Sequence, residues 1–167
     1  AISDYLISEV MSHMSPPDRD FLMQTSIVSV VNGELADALT GREDGHRHLA
    51  DLARGGLLLA PLDRRGEWYR YHALFAEVLR ARLAILRPGT SAELHARASA
   101  WFEEAGSHDE AIAHALRAGD LERVSRLVAV ASARSINAGE LGTVRRWLDA
   151  LPPEVVRDHA QLSASYA

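Results

Sequence analysis

The chain has 167 residues, 47% of them hydrophobic and 25% charged, with a net charge of -5 and no cysteine. That length suits one ordinary domain or two small ones, and the composition is globular rather than disordered. An acidic balance gives no general attraction to nucleic acid or an anionic membrane, and the missing thiols exclude disulfides, thiolate zinc sites and cysteine nucleophiles.

No apolar run approaches the length of a membrane span, no signal peptide is visible, and the absence of cysteine fits a reducing cytoplasm. The start at Ala1 inside a helical pattern, and the end at "QLSASYA", read as cuts from a longer protein.

"ISDYLISEVMSHM" spaces Ile2, Tyr5, Leu6 and Val10 as one helical face. Ser15 before Pro16, Pro17 and Asp18 is a second helix start, a capping hydroxyl followed by prolines whose missing N–H groups matter least there. "NGELADALTG" is a short helix capped by Asn32 and stopped by Gly41, and "DGHRHLADLARGG" is another, ended by Gly55 and Gly56. The period then changes. "LLLAPLD" and "EWYRYH" read as two strands about a tight turn at "RRG", with Trp68, Arg70 and His72 on one face and Tyr69 and Tyr71 on the other. "ALFAEVLRARLAIL" returns to the helical period, with Phe75, Val78, Leu79, Leu83 and Leu86 aligned. Helices, a hairpin and a closing helix make a winged-helix outline.

From Pro88 and Gly89 onward the chain is helical and alanine-rich, including "LERVSRLVAVASARSI". "EEAGSHDEAIAHALRAGD" superposes on "INAGELGTVRRWLDALPP", with Gly106 on Gly139, Ala111 on Val144 and Ala118 on Leu151. The offset of 33 residues is close to the roughly 34-residue period of tetratricopeptide-like hairpins. The expected fold is therefore mainly α: a winged-helix domain with one β-hairpin over residues 1–87, then the start of a TPR-like array of antiparallel helical hairpins over 88–167.

Chemical signatures are sparse. The chain contains no "GxxxxGK[ST]", "GxGxxG" or "GxSxG", so neither tight nucleotide binding nor a hydrolase nucleophile is expected of it. His108, Glu110 and His114 do not have the HExxH spacing, and solvated helix-face histidines are the expected reading. His46 and His48 cannot share a helix face and read as exposed or first-turn residues. No catalytic residue and no metal ligand is assigned. For DNA, the helix "GHRHLADLARG" offers Arg47 and Arg54, and the wing offers Arg64 and Arg65, a thin cationic set against phosphate.

Four blocks, "FLMQTSIVSVVNGELADALTG", "LLLAPLDRRGEWYRYHALFAEVLRARL", "ELHARASAWFEEAGSHDEAIAHALRAGD" and "NAGELGTVRRWLDALPPEVV", resemble in order the MalT-like regulators. These are LuxR-family transcription activators of the signal-transducing ATPase (STAND) class. The resemblance implies an upstream nucleotide-binding ATPase module, this winged helix, a helical-repeat sensor for a small-molecule or protein effector, and DNA contact only through a separate C-terminal domain. It implies that ATP or ADP belongs to the full-length protein, that this piece is a non-catalytic cytoplasmic part of it, and that its partners are its own ATPase module and further repeats. It also implies a role for His72. A winged-helix histidine in a Met-His-Asp motif touches the β-phosphate of ADP in that class, and here Tyr71 and Ala73 flank it in place of methionine and aspartate. His72, with Arg70 on the same strand face, is the candidate ADP-phosphate sensor. On the residues alone, His72 reads as a packing residue of the wing. A TPR-type adaptor and direct DNA binding by the wing are the alternative functions.

Overall fold

The computed structural model describes residues 2–55, 58–137 and 141–157. It divides into two compact units, Ala1–Ala98 and Ser99–Ala167. Among the described residues the first unit holds α1 (Ile2–His13), α2 (Pro16–Thr25), β1 (Val30–Asn32), α3 (Gly33–Thr40), α4 (Gly45–Arg54), β2 (Leu59–Pro61), β3 (Trp68–Tyr71) and α5 (Ala73–Leu86). The helix α6 (Thr90–Glu104) runs across the division.

The helix starts and stops follow from local chemistry. Ser15 accepts a hydrogen bond from the Asp18 N–H at 3.3 Å while its hydroxyl donates to the Asp18 carboxylate at 2.6 Å, closing the first turn of α2. Asn32 Oδ1 accepts from the Leu35 N–H at 2.8 Å, and Gly41, at φ 73°, ends α3 in the left-handed conformation that glycine adopts without steric penalty. At α4, Gly55 occupies the C-terminal cap position; Gly56 lies outside the described residues.

The sheet has the order β1-β3-β2, all antiparallel, so the expected hairpin carries a third strand. Val30, Val31 and Asn32 pair with Arg70, Tyr69 and Trp68, while Leu59, Ala60 and Pro61 pair with Tyr71, Arg70 and Tyr69. Pro61 is tolerated because β2 is an edge strand with no further ladder to donate to. The strands are shorter than the expected "LLLAPLD" and "EWYRYH". Asp63 organises their connection by accepting from the N–H groups of Arg65, Glu67 and Trp68, which holds its carboxyl below the usual carboxylate range.

The core of this unit is built from Phe21 and Leu22 of α2, Leu35 and Leu39 of α3, Leu49 of α4, Tyr69 and Tyr71 of β3, and Phe75, Leu79 and Leu83 of α5. Two expected faces need correction. On α1, Tyr5 is 68% exposed and Met11 supplies the fully buried contact; the side chains of Ile2 and Leu6 lie outside the described residues. On α5, Leu86 is 64% exposed, because the buried stripe advances in i,i+4 steps from Phe75 through Leu79 to Leu83, and its next step falls on Arg87, past the helix end.

Helices α3 and α4 approach closely at two glycines. A Cβ on Gly45 would lie 2.5 Å from the Gly33 carbonyl oxygen, and one on Gly33 would lie 2.7–2.8 Å from the Cβ, Cα and N of His46. The Gly45 N–H donates to Asp37 Oδ1 at 2.8 Å, fixing the start of α4 against α3.

In the second unit, the end of α6 is followed by α7 (His108–Ala118), α8 (Leu121–Asn137) and α9 (Leu141–Ala150). Helices α7 and α9 begin 33 residues apart, the offset of the sequence repeat; Gly139, the expected counterpart of Gly106, lies outside the described residues. Ser99 donates to the Ala111 carbonyl at 2.8 Å in a buried contact of α6 with α7. Polar contacts also join alternate helices: Glu103 of α6 bonds Arg123 and Arg126 of α8, and Asp109 of α7 bonds Arg146 and Trp147 of α9. His114 corrects the expectation of a solvated ring. It is buried because the Phe102 ring of α6 stacks on it, ring centroids 5.4 Å apart.

Candidate functional site at the seam of the wing and helix α5

Alternation along β3 decides which side chains the wing presents. Tyr69 and Tyr71 are 4% exposed and face the helices, whereas Trp68 is half-buried and Arg70 and His72 are exposed on the opposite side. The expected split of faces is thus what the strand adopts.

His72 is the N-cap residue of α5, with the extended backbone typical of that position (φ -61°, ψ 127°). Its main chain is committed: the N–H donates to the Leu58 carbonyl at 3.2 Å, and the carbonyl accepts from the Ala76 N–H at 3.0 Å. Its imidazole makes no capping bond and is exposed. The side chain therefore does not serve the helix start, although serine, threonine or aspartate at such a position ordinarily would. An open cleft of about 340 Å³ lies here, lined by Leu58, Leu59, Ala60, Arg70, Tyr71, His72 and Ala73. A smaller one of about 210 Å³ shares Arg70, Tyr71 and Ala73 and adds Ser29, Ala76, Glu77 and Arg80. His72 and Arg70 are brought together on one rim. The arrangement offers an imidazole N–H and a guanidinium beside a helix start, a donor set that suits an anionic oxygen.

Behind this rim, Tyr71 is sealed in the core, and burial pushes its phenol well above the usual range. Its hydroxyl lies 2.5 Å from Thr25 Oγ1 at the end of α2. No local sequence pattern links these two residues, which lie 46 positions apart.

The residues weighed for DNA contact are arranged differently. Arg47 lies 3.6 Å from Asp44, and Arg54 pairs with Asp51, so each cation of α4 has an acid beside it. Arg42 adds a two-pronged pair with Asp44 at 2.7 and 2.9 Å, which lowers the Asp44 carboxyl to about 2. Arg64 and Arg65 are exposed on the wing. His46 is exposed, but His48 is not: its ring meets Phe21 edge-on at 4.4 Å and its Nε2 lies 3.1 Å from Asp18.

Burial of His48, followed by the nearby Arg42 charge, lowers its pKa despite the opposing pull of Asp18 and Asp44. Below the ordinary histidine value the unfolded chain then binds more protons than the folded one, so stability falls as pH drops through that window. Denaturation midpoints of wild type and His48→Gln between pH 7.5 and 5.5 are expected to converge toward the acid end. Parallel curves would show that His48 does not carry the effect.

The wing and its supporting helices define a winged-helix module, followed along the chain by further paired helices. Residues 7–92 match the family of the MalT winged helix domain, and the chain belongs to that family. Over 156 residues it is 38% identical to the HTH-type transcriptional regulator MalT of Klebsiella pneumoniae strain 342, and equally to that of Klebsiella pneumoniae subsp. pneumoniae strain MGH 78578. Each match covers 90% of this chain and 17% of the relative's length. The chain is thus MalT-like in sequence well beyond the winged helix itself. Among the described residues, no helix is long and apolar enough to cross a membrane.

Proposed function

We propose that this chain is the regulatory, non-catalytic portion of a MalT-like transcriptional regulator. In this reading the winged helix couples the nucleotide state of an ATPase module to effector sensing by the helical repeats. The carrying observation is the exposed imidazole of His72 at the N-cap of α5, with Arg70 on the same rim. The first amide N–H groups of a helix have no acceptor within it. Together with an imidazole N–H they fit a phosphate oxygen, so the residues present suit ADP. The nucleotide would supply the anionic group, and His72 would hold it against the wing in the closed state. Losing that contact would bias a two-state movement of the winged helix.

The remaining parts of the proposal rest on the regulators that the chain resembles. The repeats would take a small-molecule or protein effector, DNA would be read by a separate C-terminal domain, and the whole would work in the cytoplasm. The pairing of each α4 arginine with an acid supports leaving DNA contact to another domain.

The test uses the full-length regulator. His72→Ala is expected to speed ADP dissociation about tenfold, the effect of losing one hydrogen bond to a charged group, and to raise basal transcription. Wild-type ADP release and wild-type basal transcription in that variant would refute the sensor role.

A further inference from the structure

Tyr71 and Thr25 form a polar pair inside the core. Thr25 is 0% exposed and Tyr71 4%. The Thr25 hydroxyl donates to the Phe21 carbonyl at 2.8 Å, so across the 2.5 Å contact the Tyr71 hydroxyl is the donor and Thr25 the acceptor. This single direction, Tyr71 to Thr25 to Phe21, gives each hydroxyl proton an acceptor.

A phenylalanine facing a valine would fill nearly the same space with no polar group to satisfy, so apolar burial does not require the hydroxyls. What a satisfied buried pair adds is a fixed distance and ring orientation. Here it fixes the residue immediately before His72. Three further bonds converge on the same place. The Tyr71 N–H donates to Ser29, the His72 N–H donates to Leu58, and Arg80 of α5 donates to the Ser26 carbonyl at 2.6 Å. The last turn of α2 therefore grips both the strand that ends at Tyr71 and the helix that His72 caps.

We propose that Thr25 and Tyr71 are positioning residues for His72, setting the seat from which it meets the nucleotide phosphate. The C-terminal turn of α2 is then the element that moves with His72 when nucleotide leaves. This inference rests on the sensor role proposed above for His72.

ADP dissociation, basal transcription and thermal midpoint are measured in the full-length regulator for His72→Ala, Tyr71→Phe, Thr25→Val and the double variant His72→Ala/Tyr71→Phe. Tyr71→Phe and Thr25→Val are each expected to speed ADP release about threefold to tenfold, the scale of one hydrogen bond, and the double variant to match His72→Ala alone. A residue that acts through His72 has nothing left to act on once that side chain is gone. Release from the double variant equal to the product of the two single effects would overturn the inference in favour of general loosening. So would wild-type release from Tyr71→Phe and Thr25→Val beside fast release from His72→Ala. Wild-type release from His72→Ala sinks the sensor reading, and the positioning role with it. Thr25→Val breaks the same bond from the other side, so the test stands if either variant folds poorly.

Discussion

Replacing Phe21 with alanine is expected to destabilise the winged-helix unit by about 3–5 kcal/mol, the cost typical of deleting a fully buried aromatic ring. Phe21 is 1% exposed and has more than an apolar role. The His48 ring meets it in a T-shaped contact with centroids 4.4 Å apart, and the Arg42 guanidinium lies 5.7 Å from its centre. Truncation opens a cavity and also removes the surface that holds two polar side chains in place. For a unit of this size each kcal/mol is worth roughly 4–8 °C in thermal midpoint, so circular dichroism melting resolves the effect easily. A drop of only a few degrees would mean that the neighbours collapse into the vacated space.

Gly45→Ala is expected to cost about 2 kcal/mol, against the usual preference. In an open helix alanine is favoured over glycine by about 1 kcal/mol. Here the new methyl would meet the Gly33 carbonyl oxygen at 2.5 Å and Asp37 Oδ1 at 2.7 Å. The first of these is backbone and can yield only by moving α3 and α4 apart, an overpacking penalty of about 1–3 kcal/mol or more. The hydrogen bond from the Gly45 N–H to Asp37 would be stretched by the same movement. Gly142 in α9 provides the contrast, since among the described residues nothing lies within 4 Å of its added Cβ. There the same exchange should be neutral or stabilising. Chemical denaturation of both variants reads the difference in sign; a destabilised Gly142→Ala or a stabilised Gly45→Ala would refute the close-approach argument.

What could be read ahead of the structure was governed by short-range chemistry. Ser15, Asn32 and Gly41 each act on atoms a few residues away, so their capping roles are visible in the sequence. The faces of β3 follow from simple alternation, which is why Arg70 and His72 could be placed on one side and Tyr69 and Tyr71 on the other; only the packed helices decide which side is exposed. The strand β1 was not legible, because three residues beginning Val30-Val31 form a strand only by pairing with Trp68–Arg70, far along the chain. The same distance hides the Thr25–Tyr71 bond and the Gly33–Gly45 approach. Burial of His114 is hidden for a related reason: it is polar by type, and only the Phe102 ring beside it makes its place an interior one. The family blocks reached further than any of these local signals, but they point to His72 without showing what holds it.

The second unit carries a consequence of a different kind. Its α7 and α9 begin 33 residues apart, and Glu103 and Asp109 each reach to the helix two places on. An array built from hairpins of this kind behaves as a one-dimensional lattice, in which every hairpin is both the floor for the next and the lid of the last. Evolution can lengthen a lattice of this kind by whole hairpins at little structural cost, whereas an insertion of a few residues inside a helix would put every later contact out of phase.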